Sequence, residues 1–234
     1  MKKKVIGIGL LCTILCLAHY LSHNVSKQYI HEEGRVFGTT YNITYEIGGE
    51  SLQGEYECAL EKINKSLSMF DSTSTISRIN KNIDFETDSL FRIVYDEANY
   101  VSSKSNGAFD ITVAPLVNAW GFGFKNKDNI NDSIISELRK HIGWQKIKIE
   151  NNKLVKSDSA TMLDASAIAK GFAVDQVASV LEKNNVDNFM VEIGGECVVK
   201  GHNARGGDWT LGIVEPDEDT EQSNNNINTV IKLN

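Results

Sequence analysis

Several stretches of this chain mix small residues, aromatics and single carboxylates in a way that neither a plain amphipathic helix nor a plain strand requires. The first runs Gly107-Ala-Phe-Asp-Ile-Thr-Val-Ala-Pro-Leu-Val-Asn-Ala-Trp-Gly-Phe-Gly123. Its glycines permit close approach of backbone to a ligand. Phe109, Trp120 and Phe122 suit an aromatic wall, and Asp110 can accept hydrogen bonds from a heterocycle. The competing reading is a core loop in which Asp110 caps a helix.

The second stretch is Leu163-Asp-Ala-Ser-Ala-Ile-Ala-Lys-Gly-Phe-Ala-Val-Asp175. Asp164 stands where an N-cap is expected. A helix start presents free N–H groups suited to phosphate, and Lys170, at most two turns on, can sit over a phosphate as a point charge. A carboxylate, open amides and an ammonium make a nucleotide site; a capped helix with one surface lysine is the alternative. The third stretch, Val191-Glu-Ile-Gly-Gly-Glu196, is a strand running into glycines that can bring backbone against a ligand. The fourth, Leu67-Ser-Met-Phe-Asp-Ser-Thr-Ser-Thr-Ile-Ser-Arg-Ile-Asn80, reads as a helix end and a Ser/Thr-rich turn, with Phe70 either lining a pocket or belonging to the core. The five His residues do not fall at metal spacing, and the motifs of zinc proteases, P-loops, dinucleotide folds and serine hydrolases are missing.

The elements that must position these residues follow from pattern. Val36 to Ile47 alternates as a strand ended by Gly48-Gly49. Leu52 to Phe70 carries Leu60, Ile63, Leu67 and Phe70 at helical spacing. Asp88 to Ser105 is a helix with Asp88 as cap and Gly107 past its end. Asn131 to His141 is a helix capped by Asp132 or Ser133. Ile147 to Ile149 and Leu154-Val155 flank an Asn151-Asn152 turn, a hairpin signal. Ser166 to Lys183 is a helix, Phe189 to Ile193, Trp209 to Val214 and Thr229 to Leu233 are strands, and Asp217 to Asn228 is a solvated loop or hairpin tip. Strands and helices alternate without a regular βαβ rhythm, which predicts an α+β fold of mixed sheets flanked by helices.

The chain has 234 residues, 41% hydrophobic and 24% charged, enough for a packed core. A net charge of -7 argues against a nucleic-acid binder. Lys2 to Lys4 followed by the apolar run Val5 to Ala18 reads as an export signal or uncleaved anchor over residues 1–21. The positive-inside rule then puts the following domain outside the cytoplasm. Residues 22–33 read as a linker and 34–234 as the domain. Cys58 and Cys197 read as two isolated buried thiols rather than a disulfide.

Taken in order, Phe37-Gly-Thr, Phe70-Asp through Ile76-Ser-Arg-Ile-Asn, Gly107-Ala-Phe-Asp-Ile-Thr, Asp164 through Lys170-Gly, Ile193-Gly-Gly and Trp209-Thr-Leu-Gly-Ile213 with Pro216 resemble the flavin transferases, the ApbE family of FAD:protein FMN transferases, over residues 34 to 233. The resemblance implies a Mg2+-assisted enzyme that splits the pyrophosphate of FAD and attaches FMN to a threonine of an exported acceptor, such as a subunit of a membrane redox pump. It implies a flavin-transferase-like fold and a domain held on the periplasmic side of the bacterial inner membrane. FAD contacts would fall on Phe37, Phe70, Ala108, Phe109, Asp110, Asp164 and Lys170. Phe37 stands where many members have Met, and Phe70 where many have Tyr. The implied metal contact is the carbonyl of Ala167. The family's later segments, with its catalytic His and the side chains of its metal site, would fall beyond Asn234, so the resemblance implies a C-terminally incomplete site. A membrane-tethered FAD-binding module and an FAD pyrophosphatase are the alternative readings.

Overall fold

The structure, a computed structural model, describes residues 27–122, 130–214 and 227–233. The N-terminal anchor expected over residues 1–21 and most of the acidic Asn-rich stretch lie outside the described residues. Among the described residues, no helix is long and apolar enough to cross a membrane.

A four-stranded sheet orders as β1-β2-β5-β6, from β1 (Gln28–Val36), β2 (Thr39–Ile47), β5 (Phe189–Ile193) and β6 (Glu196–Lys200). Each pairing is antiparallel. Two hairpins complete the described strands, β3 (Ile147–Glu150) with β4 (Lys153–Lys156) and β7 (Trp209–Val214) with β8 (Ile227–Leu233), and both are also antiparallel. The α+β class stands, but the described sheets are antiparallel rather than mixed.

The helices are α1 (Gln53–Leu67), α2 (Thr75–Asn80), α3 (Ser89–Lys104), α4 (Ala114–Ala119), α5 (Asp132–Arg139) and α6 (Ser166–Lys183). Strand β2 buries Tyr41, Ile43 and Tyr45, every second residue, as a half-buried strand must. Helix α1 meets it with Tyr56, Leu60, Ile63 and Leu67 on one stripe, and α6 adds Ala173, Val174, Val177 and Leu181. These faces share one core cluster with Phe189, Val191 and Ile193 of β5.

Several expectations need correction. Residues 28–33, read as linker, form most of β1. There the Glu32 carboxylate accepts from the hydroxyls of Tyr45 at 2.9 Å and Tyr56 at 2.8 Å, and from Ser51. The polar composition that suggests a linker is that of an edge strand bonded to the core from outside. The single strand over 36–47 is a hairpin, because Phe37 and Gly38 take φ values of 52° and 76° and reverse the chain. The Ser/Thr-rich turn contains a further helix, α2, capped by Ser74, whose hydroxyl accepts from the Ser77 amide at 3.1 Å. Asn131, not Asp132 or Ser133, caps α5 through its side-chain oxygen on the Ile134 amide at 3.0 Å. Asp88 caps α3 as expected, and Asn151 and Asn152 (φ 51° and 62°) make the β3–β4 turn. Cys58 is exposed and Cys197 half-buried, and the two are not joined.

Candidate functional site

Two turns and one helix start converge at one end of the sheet. The Phe37-Gly38 turn closes β1–β2, and the Gly194-Gly195 turn closes β5–β6. Since β2 pairs with β5 from Tyr41↔Ile193, both turns leave the sheet at the same end. Gly194 has a φ of 56°, and a methyl group there would come within 2.8 Å of Thr39 Cγ2 and 3.1 Å of Lys170 Cδ. Only glycine allows both the turn and this approach. The Gly194 carbonyl accepts from the Lys170 ammonium at 2.9 Å, and Glu196 stands 3.5 Å from the same nitrogen. The glycine pair thus brings backbone against Lys170.

The first cavity opens here. Phe37, Gly38, Phe70, Asp71, Ser166 and Lys170 are among the residues that line a space of about 620 Å³, with Ile63, Leu67 and Met69 as its apolar side. Phe70 lies at its edge, 70% exposed. Asp71 is engaged by its own neighbours. It accepts from the Thr73 hydroxyl at 2.7 Å and from the Lys65 ammonium at 2.9 Å, and these bonds hold its carboxyl well below the usual carboxylate range.

A second cavity, of about 910 Å³, collects the other expected residues: Ala108, Phe109, Asp110, Asp164 and Ala167, with Phe122, Arg139 and Ser166 also on its wall. Trp120, expected beside Phe109 and Phe122, does not line it. The stretches 107–113 and 162–164 meet by main-chain pairing. The Asp164 amide donates to the Ile111 carbonyl at 2.7 Å, and Val113 bridges to Met162. Ser166 lines both cavities.

The carboxylates are largely engaged by their own loops. One oxygen of Asp110 accepts from the Thr112 amide at 2.8 Å and hydroxyl at 2.6 Å, and the other accepts from the Trp144 amide at 2.9 Å. Buried Thr112 in turn accepts from the Gly143 amide at 2.8 Å. Asp110 therefore fixes the wall formed by residues 143–144, and with about four lone-pair sites in a carboxylate it keeps roughly one for a ligand. It does not cap a helix, since Val113 precedes α4 without a side-chain cap. Asp164 is not the N-cap either. Ala165 holds that position, and Asp164 accepts from the Ser166 amide at 2.8 Å from one residue earlier. The amides of Ile168 and Ala169 donate to Ala165. The start of α6 is thus more fully satisfied than expected, and Ser166 and Lys170 are its residues with polar side chains among those that line the cavities.

Two positioning residues lie within quoted motifs but carry no signal of their own in the sequence. Buried Asn80 donates to the Leu163 carbonyl at 2.8 Å and accepts from the Leu163 amide at 2.7 Å, clamping the residue before Asp164. Thr112 is the other, and its partners could not be read from spacing.

Among the described residues there is no group of three or more His, Cys, Asp or Glu side chains arranged to hold a metal. A single main-chain oxygen at Ala167 does not make a Mg2+ site, since that ion demands near-octahedral oxygen ligation. The described donors do not fit the ion by themselves.

An antiparallel sheet with helices packed on it, and two cavities that share Ser166 at the start of α6, makes this an α+β domain with a cleft of small-molecule size. A family model described as the ApbE family matches residues 37–234, and the chain belongs to that family. The FAD:protein FMN transferase of Haemophilus influenzae is 35% identical over 250 residues, covering 100% of this chain and 70% of that protein. The FAD:protein FMN transferase of Vibrio cholerae is 36% identical over 202 residues, covering 82% of this chain and 60% of that protein. The solved flavin transferase ApbE from Vibrio cholerae superposes with a TM-score of 0.76, covering 82% of this chain and 65% of that one. The apo flavinyl transferase ApbE of Pseudomonas stutzeri gives 0.74 at 31% identity, covering 80% and 63%. The chain thus spans between 60% and 70% of these relatives.

Proposed function

We propose that this chain acts in FAD:protein FMN transfer, holding FAD across the two cavities. The observation that carries the reading is that Ser166 lines both. Each space is within the range of about 300–1,000 Å³ that a small-molecule site occupies. Two such spaces meeting at one polar residue suit a ligand with two ring systems joined by a diphosphate. Phe37 and Phe70 offer aromatic surface to one ring system, and Ala108, Phe109 and Asp110 frame the other. Lys170, tethered by Gly194, has three N–H donors, so it can keep its backbone bond and still face an anion.

The transfer forms a bond from the acceptor threonine oxygen, whose proton is released to solvent, to the phosphorus of the FMN half. It breaks the phosphoanhydride, and AMP leaves. Such a reaction asks the protein mainly for positioning and charge neutralisation. Mg2+ belongs to this reading as a co-factor, with the Ala167 carbonyl as the contact that the family resemblance implies. The membrane placement also belongs to it. It is supported by the Lys2-to-Lys4 start and the apolar run to Ala18, and membrane fractionation of the tagged chain tests it.

The deciding experiment incubates the full chain with FAD, Mg2+ and an acceptor domain and weighs the products by mass spectrometry. Covalent FMN on an acceptor threonine supports the transferase. FAD retained without transfer identifies a binding module, and AMP released without acceptor identifies a pyrophosphatase. In the same preparation Asp164→Ala should weaken FAD binding more than Lys183→Ala; equal affinities would remove Asp164 from the site.

A further inference from the structure

We infer that Arg139 is a second anion-binding residue of the cleft, pairing with Lys170 across Ser166 to hold the diphosphate of the dinucleotide. This rests on the reading of the cleft as an FAD site. Of the residues lining the two cavities, Lys170 and Arg139 are the cations, one to each space. Lys170 already spends one donor on the Gly194 carbonyl and has Glu196 as an ion-pair partner at 3.5 Å. Arg139 has no hydrogen bond or ion pair from its side chain among the described residues, although Asp110 and Asp164 line the same cavity. Those two carboxylates would repel an anionic ligand, and a guanidinium lining the same cavity offsets that charge. Its fork of donors suits the oxygens of a phosphate group.

The backbone that carries Arg139 is placed, not loose. Arg139 ends α5, and its carbonyl accepts from the Ile142 amide at 3.2 Å. The chain then enters Gly143 and Trp144, whose amides are held by Thr112 and Asp110. The Asp110 loop and the arginine are therefore fixed to one another by the same short segment. The side chain is exposed and terminal on its helix, so replacing it leaves the core untouched.

The test compares FAD with riboflavin, which keeps the isoalloxazine ring but lacks the diphosphate and the adenosine, by flavin fluorescence titration of the full chain and its Arg139→Gln variant, with the salt dependence separating a phosphate contact from an adenosine contact. The expected result is a loss of FAD affinity of tenfold or more, with riboflavin affinity unchanged within twofold and a shallower salt dependence for FAD. Equal losses for both ligands, or no loss for either, overturn the role of Arg139. Failure of the unaltered chain to bind FAD at all would instead remove the reading of the cleft on which it rests.

Discussion

Asn80 grips the backbone of Leu163 through both ends of its amide, accepting at 2.7 Å and donating at 2.8 Å, across 83 residues of sequence. Helix α2 ends at this asparagine, and the site residue Asp164 directly follows its partner. The end of one element thereby sets the position of Asp164. Asn80→Ala would strand a buried N–H and C=O, at a cost of about 1–3 kcal/mol for each unpaired group. The expected result is a lower urea midpoint together with weaker FAD binding. A variant that keeps wild-type stability would show that the clamp is not needed.

Gly194 is the second structural test. Alanine there must adopt a φ near 56° and meet Thr39 Cγ2 at 2.8 Å. Strain and overpacking together predict a loss of about 2–4 kcal/mol, read by chemical denaturation. Adding Thr39→Ser, which removes the offending methyl, should restore part of that loss. No recovery in the double variant would place the whole cost in the backbone.

Phe37 sets stability against binding. A bulky residue at a φ of 52° carries strain of about 1–3 kcal/mol. Phe37→Gly relieves that strain but loses the half-buried ring from the first cavity. The two effects oppose each other, so stability should stay within about 1 kcal/mol of wild type, while FAD affinity falls at least fivefold. A stability loss as large as that of a core Phe, about 3–5 kcal/mol, would show that the ring serves the core instead.

Asp88 gives a pH test away from the cleft. Burial opposes its charge, but bonds from the Thr75 hydroxyl, the Phe91 amide and the Ser66 hydroxyl outweigh that and hold its carboxyl below the usual range. A carboxyl with a depressed folded pKa contributes stability that is present above its unfolded pKa and lost as pH falls through the folded value. Asp88→Asn keeps a good cap but does not titrate. The gap in urea midpoint between wild type and variant should be open at pH 7 and close as pH drops below about 4, near and beneath the unfolded carboxylate value. A gap that stays constant with pH would show that the charge contributes nothing.

Much of the fold was legible because its elements follow local rules. The stripe Leu60, Ile63 and Leu67 in α1, the Asp88 cap and the Asn151-Asn152 turn are signals that depend on near neighbours alone. The errors fall where local and distant forces disagree. Residues 28–33 are polar in composition, yet Glu32 secures them to tyrosines of β2 and α1. Asp164 has the chemistry of an N-cap, yet its amide is pulled onto Ile111 and the cap position passes to Ala165.

By itself the sequence determined the types of residue the cleft contains and the family to which the chain belongs, since ordered short motifs survive as chemistry whatever surrounds them. Only the tertiary structure decided which of those residues share a cavity, that Ser166 joins the two spaces, and that Asn80, Thr112 and Arg139 take part. Those facts depend on contacts between segments far apart in the chain. Spacing along the backbone carries no information about them until the sheet, α6 and the 107–113 loop have packed together.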